Sequence, residues 1–144
     1  MKSMARDYGK FIMIFSVIYW QSQGYCGKRL KELGITCGQF MYILCICENP
    51  GCSQEQVAES TYIDKSTVAK AIQQLLKAGY ITRRVSPEDR RVNQLYPTEK
   101  AMEVYPKIVQ TLKDYNTEYL RGLTDIEQDI FMRLLEKMFT ALDL

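Results

Sequence analysis

The chain has 144 residues, 47% of them apolar and 25% charged, enough for one well-packed domain and unlike a disordered or low-complexity segment. It contains no His, which excludes His-based acid–base catalysis and His-ligated zinc or haem. Its five Cys are odd in number and irregular in spacing, which argues against a disulfide framework and fits a reducing, cytoplasmic setting.

The net charge of +2 is unevenly spread. Residues 62–100 carry 8 Lys/Arg against 4 Asp/Glu, whereas residues 101–144 carry 5 against 8. A basic middle ahead of an acidic end suggests that the middle meets a polyanion. At the N-terminus, Lys2, Arg6 and Lys10 precede the apolar run Phe11–Trp20, outwardly like a signal peptide. Asp7 interrupts the basic region, no A-x-A site follows, and the run is too short to span a bilayer. No membrane partner is expected.

The apolar residues Tyr8, Phe11, Ile12, Phe15, Ile18 and Tyr19 recur at helical spacing. They predict a first helix from about Met4 to Tyr25, followed by a basic loop over Gly27–Gly34. Thr36-x-x-Gln39 has the form of a capping box. The helix it opens is expected to bury Phe40, Ile43, Leu44 and Cys47 and to stop at Asn49-Pro50-Gly51. Ser53-x-x-Gln56 opens a short helix with Val57 and Ala58 inside, and Tyr62-Ile63 makes a tight turn. Asp64 caps the next helix, about Lys65–Ala78, which Gly79 closes.

Strands over Tyr80–Val85 and Arg91–Tyr96 flank the polar segment Ser86–Arg90. Thr98 caps a long helix, about Glu99–Arg121, with Met102, Tyr105, Ile108, Val109, Leu112 and Tyr119 as its apolar face and Pro106 as a source of a kink. Thr124-x-x-Glu127 opens a last helix burying Ile130, Phe131, Leu134, Leu135, Met138 and Leu142. The order predicts a mainly α (α+β) fold, a winged helix-turn-helix between flanking helices. Those helices carry more apolar surface than one small domain covers, so a partner is expected.

The helix over Lys65–Ala78 carries the clearest functional signal. With Val68, Ala71, Ile72, Leu75 and Leu76 turned inward, Ser66, Lys70, Gln73 and Lys77 fall opposite, with Thr67 and Gln74 beside them. That face holds cations and hydrogen-bonding groups and no carboxylate. Such groups read base edges and phosphates in a major groove, where the N-terminal half of a recognition helix enters. Arg83, Arg84, Arg90 and Arg91 cluster on the following hairpin, and Asp89 is placed to orient one guanidinium. Arg at a ribbon tip suits a narrow minor groove. The expected DNA-contacting set is Lys65, Ser66, Thr67, Lys70, Gln73, Gln74, Arg84, Asp89, Arg90 and Arg91.

The run Asp64-Lys65-Ser66-Thr67-Val68-Ala69-Lys70, then Leu75–Ile81, Arg83-Arg84, Ser86-Pro87-Glu88-Asp89-Arg90-Arg91 and Thr98-Glu99-Lys100, resembles the MarR family of bacterial transcriptional regulators. The resemblance extends over nearly the whole chain. It departs from the family at Pro97-Thr98, where Leu-Thr is usual, and at Ala101, a common Gly position. It implies a DNA-binding lobe over 36–97 and dimerisation helices in 1–35 and 98–144. It further implies a homodimer on a pseudo-palindromic double-stranded operator, usually as a repressor, released by small aromatic ligands, thiol oxidation or metals.

Tyr8, Phe11, Phe15 and Tyr19 are candidates for lining an aromatic effector pocket, against core or dimer packing as the plainer role. Cys45-x-Cys47 lacks the spacing of a redox motif, and two residues apart on a helix point roughly 200° away from each other. No metal or cofactor is expected, and no catalytic group. The competing readings are a winged-helix module that binds protein, and a thiol-based redox-sensing regulator.

Overall fold

The computed structural model describes residues 4–144; Lys2, in the basic N-terminal stretch, lies outside the described residues. Among the described residues six helices and three short strands follow in the order α1 (Met4–Glu32), α2 (Phe40–Glu48), β1 (Cys52–Ser53), α3 (Gln54–Thr61), α4 (Lys65–Lys77), β2 (Ile81–Val85), β3 (Asn93–Pro97), α5 (Glu99–Leu120) and α6 (Asp125–Thr140).

α1 is longer than expected and absorbs most of the basic segment read as a loop. Cys26 and Leu30, one turn apart, are both buried, so continuing the helix keeps an apolar stripe on the core. The helix stops where Gly34 takes a left-handed conformation at φ +75° and the Ile35 N–H donates back to the Leu30 carbonyl at 2.9 Å. α4 ends the same way: Gly79 stands at φ +77° and the Tyr80 N–H donates to Leu75 O at 3.0 Å.

Caps set the other boundaries. Ser53 makes the full capping box with Gln56 at the start of α3, and Asp64 and Thr98 cap α4 and α5. Thr36 and Gln39 make only half of theirs. The Thr36 N–H donates to Gln39 Oε1 at 3.0 Å, but Thr36 precedes a turn, and α2 begins four residues later at Phe40. The buried face of α2 is therefore Tyr42, Ile43 and Ile46, while Phe40, Leu44 and Cys47 are only partly buried. Thr124 accepts from the Glu127 N–H at 3.3 Å, but the Glu127 carboxylate returns to the Thr124 hydroxyl rather than its backbone.

The sheet has the order β1-β3-β2, all antiparallel, with Arg83 opposite Leu95 and Cys52 opposite Leu95 on the other side. β1 was not anticipated, because two residues leave no periodicity to detect. Arg91 and Val92, read as strand, belong to the connecting loop. The core is built from Ile43, Ile46, Val57, Val68, Ile72, Leu75, Leu95 and Ile108, all with no exposed surface.

The buried stripe of α5 is rotated from the expected one and shares Ile108 with it: Ala101, Val104, Ile108 and Thr111 are buried, the expected Tyr105, Val109, Leu112 and Tyr119 are partly buried, and Met102 is half exposed. Its first turn lies close against the end of α4, where the Thr98 hydroxyl lies 2.6 Å from Gly79 O and Lys100 Nζ donates to Ala78 O at 2.7 Å. Small Ala101 fits that approach. Beyond, α5 crosses α1, where Tyr115 and Tyr119 stack on each other and meet Tyr25 edge-on. α6 buries none of the six residues assigned to its core face; Leu135 is half-buried and Ile130, Leu134 and Leu142 stand more than half exposed. Among the described residues no helix is long and apolar enough to cross a membrane.

Candidate nucleic-acid interface

α4 is held at both ends and along its inner face. Val68, Ile72 and Leu75 are buried, at the roughly 3.6-residue period of a helix. That fixes the outer face: Lys65, Ser66, Thr67, Lys70, Gln73, Gln74 and Lys77 are all exposed. The helix C-terminus is tied to α5 by Lys100, whose ammonium also lies 4.3 Å from the Tyr80 ring centre.

Within this face the residues are not equivalent. Lys65 Nζ is paired with Glu55 Oε1 of α3 at 2.9 Å, which partly neutralises it. Each partner stabilises the charged form of the other, lowering the Glu55 pKa and raising that of Lys65. Ser66 and Thr67 both donate their hydroxyl protons to Asp64, at 2.6 Å each. Hydrogen bonds from Ser66 and Thr67 hold the Asp64 carboxyl well below the usual carboxylate range. The spacing predicts Asp64 as the cap of α4 but not its grip on two hydroxyls of the candidate DNA-contacting set, since spacing alone does not show where a side-chain proton goes. Lys70, Gln73 and Gln74 make no side-chain bond among the described residues and are free to meet a ligand.

The wing tip is a built loop. The Ser86 hydroxyl, buried, accepts from the Glu88 and Asp89 N–H groups at 3.3 and 3.4 Å. The strand ends are closed by Ser86 N–H to Val92 O at 2.9 Å and Val92 N–H to Asp89 O at 3.0 Å. Asp89 then grips Arg91 three ways: Oδ1 accepts from its backbone N–H and Nε at 3.0 and 3.1 Å, and Oδ2 accepts from Nη2 at 3.2 Å. The Arg91 side chain nevertheless remains 90% exposed. Arg90 stands exposed beside it. Arg84 lies further down the stem, its guanidinium 4.7 Å from the Tyr96 ring centre.

The candidate effector residues are placed differently. Tyr8, Phe11, Phe15 and Tyr19 line the exposed surface of α1, with Phe11 against Phe15 and Tyr19 against Trp20. One cleft of about 600 Å³ lies elsewhere, between Cys45, Glu48, Cys52, Gln56 and Ser60, and a larger one of about 850 Å³ runs along α6 beside Ile130, Leu134 and Lys137. The aromatic cluster of Tyr25, Tyr115 and Tyr119 was not singled out as a unit, because its members come from two helices far apart in sequence. All five Cys are free, and burial raises the thiols of Cys26 and Cys45 and pushes those of Cys47 and Cys52 up to about 11.

A recognition helix with a carboxylate-free outer face, followed by an Arg-bearing antiparallel wing, defines a winged-helix DNA-binding protein. The chain belongs to the MarR family of transcriptional regulators. The MarR family model matches residues 35–92. The HTH-type transcriptional regulator YybA of Bacillus subtilis (strain 168) is 36% identical over 111 residues, covering 76% of this chain and 73% of that protein. The transcriptional regulator SlyA superposes with a TM-score of 0.86 at 32% identity, over 92% of this chain and 93% of that one. A MarR-family regulator from Listeria monocytogenes, solved with a 26mer DNA, superposes with a TM-score of 0.82 at 32% identity, over 99% and 90% of the two chains.

Proposed function

We propose that the protein is a cytoplasmic homodimeric repressor that binds a pseudo-palindromic operator and is released by a small aromatic effector. Residues 36–97 act as the DNA-binding lobe and residues 1–35 and 98–144 as the dimerisation segments. The observation that carries the DNA-facing part is the outer face of α4, where Lys70, Gln73 and Gln74 are exposed and uncommitted. Gln73 and Gln74 are suited to base edges, Lys70 to phosphate or guanine, and Arg90 and Arg91 to the minor groove or its flanking phosphates. Dimerisation is supported by the apolar residues left exposed on α1 and α6. Two recognition helices related by a dyad need half-sites about one helical turn, ~10 bp, apart.

The test is selection of bound duplexes from a random pool, followed by affinity measurement on the selected sequence. A two-fold symmetric site, bound more weakly by Lys70→Ala, Gln74→Ala and Arg91→Ala, is the expected result. Unchanged affinity in all three variants would place the interface elsewhere. Repeating the selection with aromatic carboxylates and phenols tests release.

A further inference from the structure

We infer that Asp64 sets the hydrogen-bond polarity of the recognition helix, committing Ser66 and Thr67 to accept hydrogen bonds from the amino groups of adenine or cytosine. The inference rests on the proposal that α4 enters the major groove. A hydroxyl has one proton and two lone pairs. Ser66 spends its proton on Asp64 Oδ1 and Thr67 spends its own on Asp64 Oδ2, each at 2.6 Å. The Thr67 N–H is spent on Oδ1 as well, at 2.9 Å. An ionised carboxylate can only accept, so the direction of all three bonds is fixed, and their ionic character makes them strong.

Both hydroxyls are exposed and keep only lone pairs to offer. In the major groove the donors are adenine N6 and cytosine N4; guanine N7 and O6, thymine O4 and the phosphate oxygens are acceptors. Ser66 and Thr67 are therefore matched to amino edges and mismatched to phosphates. Asp64 adds a second effect. Lys65, the nearest cation in sequence, is turned to Glu55 of α3, so the Asp64 charge is left to repel the phosphate backbone. That repulsion falls on every duplex, whereas the amino contacts reward only the right one. Asp64 is thus a positioning residue that trades general affinity for selectivity.

The experiment uses the full-length protein and its selected duplex, with analogues placed at the base pairs protected by α4. Purine for adenine and 2-pyrimidinone for cytosine delete the amino donor; 7-deazapurines delete an acceptor. Deleting the amino group at the contacted pair is expected to weaken binding about three- to tenfold, as for one lost hydrogen bond, with little effect from the 7-deaza base. Ser66→Ala with Thr67→Val should erase that difference. Asp64→Asn keeps a good helix cap but turns its amide toward one hydroxyl, freeing a proton. It should shrink the amino-deletion penalty and bind random duplex at least twofold more tightly.

Sensitivity to the 7-deaza base instead of amino deletion would overturn the assignment, and so would an Asp64→Asn protein with an unaltered analogue pattern. In either case a normal loss in Lys70→Ala and Gln74→Ala would show that the groove placement itself stands. No loss in those two variants would remove the placement and the assignment together.

Discussion

Phe139, near the end of α6, stands edge-on against Tyr62 in the turn between α3 and α4, with ring centres 4.8 Å apart and planes at 86°. Tyr62 is left-handed at φ 55°, a conformation that costs a side chain about 1–2 kcal/mol. A helix proposed for dimerisation therefore touches the turn that sets the angle of the recognition helix. Both rings are partly exposed, at 60% for Tyr62 and 41% for Phe139, so the contact is modest. A Tyr62→Ala, Phe139→Ala double-mutant cycle should show coupling of about 0.5–1 kcal/mol in urea denaturation at fixed protein concentration. Tyr62→Gly should be about 1 kcal/mol more stable than Tyr62→Ala, since only the backbone strain differs. Additive losses and equal stabilities would mean that neither the contact nor the strain matters.

The wing separates orientation from contact. Arg91→Ala should weaken operator and random duplex together and lower the salt dependence by a slope of about 1. Asp89 acts through Arg91, so Asp89→Ala should weaken binding in the wild-type background. In the Arg91→Ala background no guanidinium is left to orient; the same change removes a negative charge together with the bond to the residue 91 backbone N–H, and should strengthen binding. That reversal of sign is the measurement; equal effects in both backgrounds would make Asp89 a bystander. The Arg91 bonds hold the Asp89 carboxyl below its usual range. The interaction is thus complete above the ordinary carboxylate pKa and is lost only as pH falls through the depressed value, so the wing should not change between pH 5 and 8.

Mild peroxide should leave operator affinity unchanged. Cys47 and Cys52 at about 11 hold little thiolate at neutral pH, and the Cys26 and Cys45 thiols are also raised by burial. A loss restored by thiol and abolished by one Cys→Ser change would reverse this conclusion. The same shifts give a second expectation. Between about 9 and 11 the unfolded thiols ionise while the folded ones of Cys47 and Cys52 keep their protons. Stability therefore falls as pH rises through that window. Cys47→Ala should flatten the fall relative to wild type in a melting series.

The helix-turn-helix was legible in the sequence because its punctuation is local. Ser53, Asp64 and Thr98 cap, Gly79 closes, and each acts within a few residues of itself. The outer face of α4 followed, because Val68, Ile72 and Leu75 leave only one phase for the helix. α5 was misphased because two apolar stripes compete on it. Ile108 lies on both, and the stripe through Ala101, Val104 and Ile108 wins because α5 packs on α1 and α2, a tertiary fact. The end of α1 was missed because Gly27 and the flanking charges look like a loop until the burial of Cys26 and Leu30 is known. In the interface, residue types were legible and hydrogen-bond directions were not: nothing in the spacing of Ser66 and Thr67 says that Asp64 holds both protons.

The protein should sediment as a dimer at micromolar concentration, and Leu134→Glu should make it a monomer. α6 leaves Ile130 52% and Leu134 58% exposed, and α1 leaves Phe11 58% and Ile18 46% exposed. Water-facing rows of this kind on two helices are what a closed two-fold interface covers. In such an interface each substitution is present twice, so Leu134→Glu brings two carboxylates into one apolar seam. An unpaired buried charge costs about 3 kcal/mol or more, enough to move dissociation well above the micromolar range. The consequence on DNA is specific. Each lobe of the monomer keeps α4 and its wing, so affinity for random duplex should fall little. The operator loses the advantage of two linked half-sites, and its affinity should fall far more, by roughly a hundredfold or greater. A wild-type monomer, or a Leu134→Glu dimer with full operator affinity, would show that α6 is not the seam.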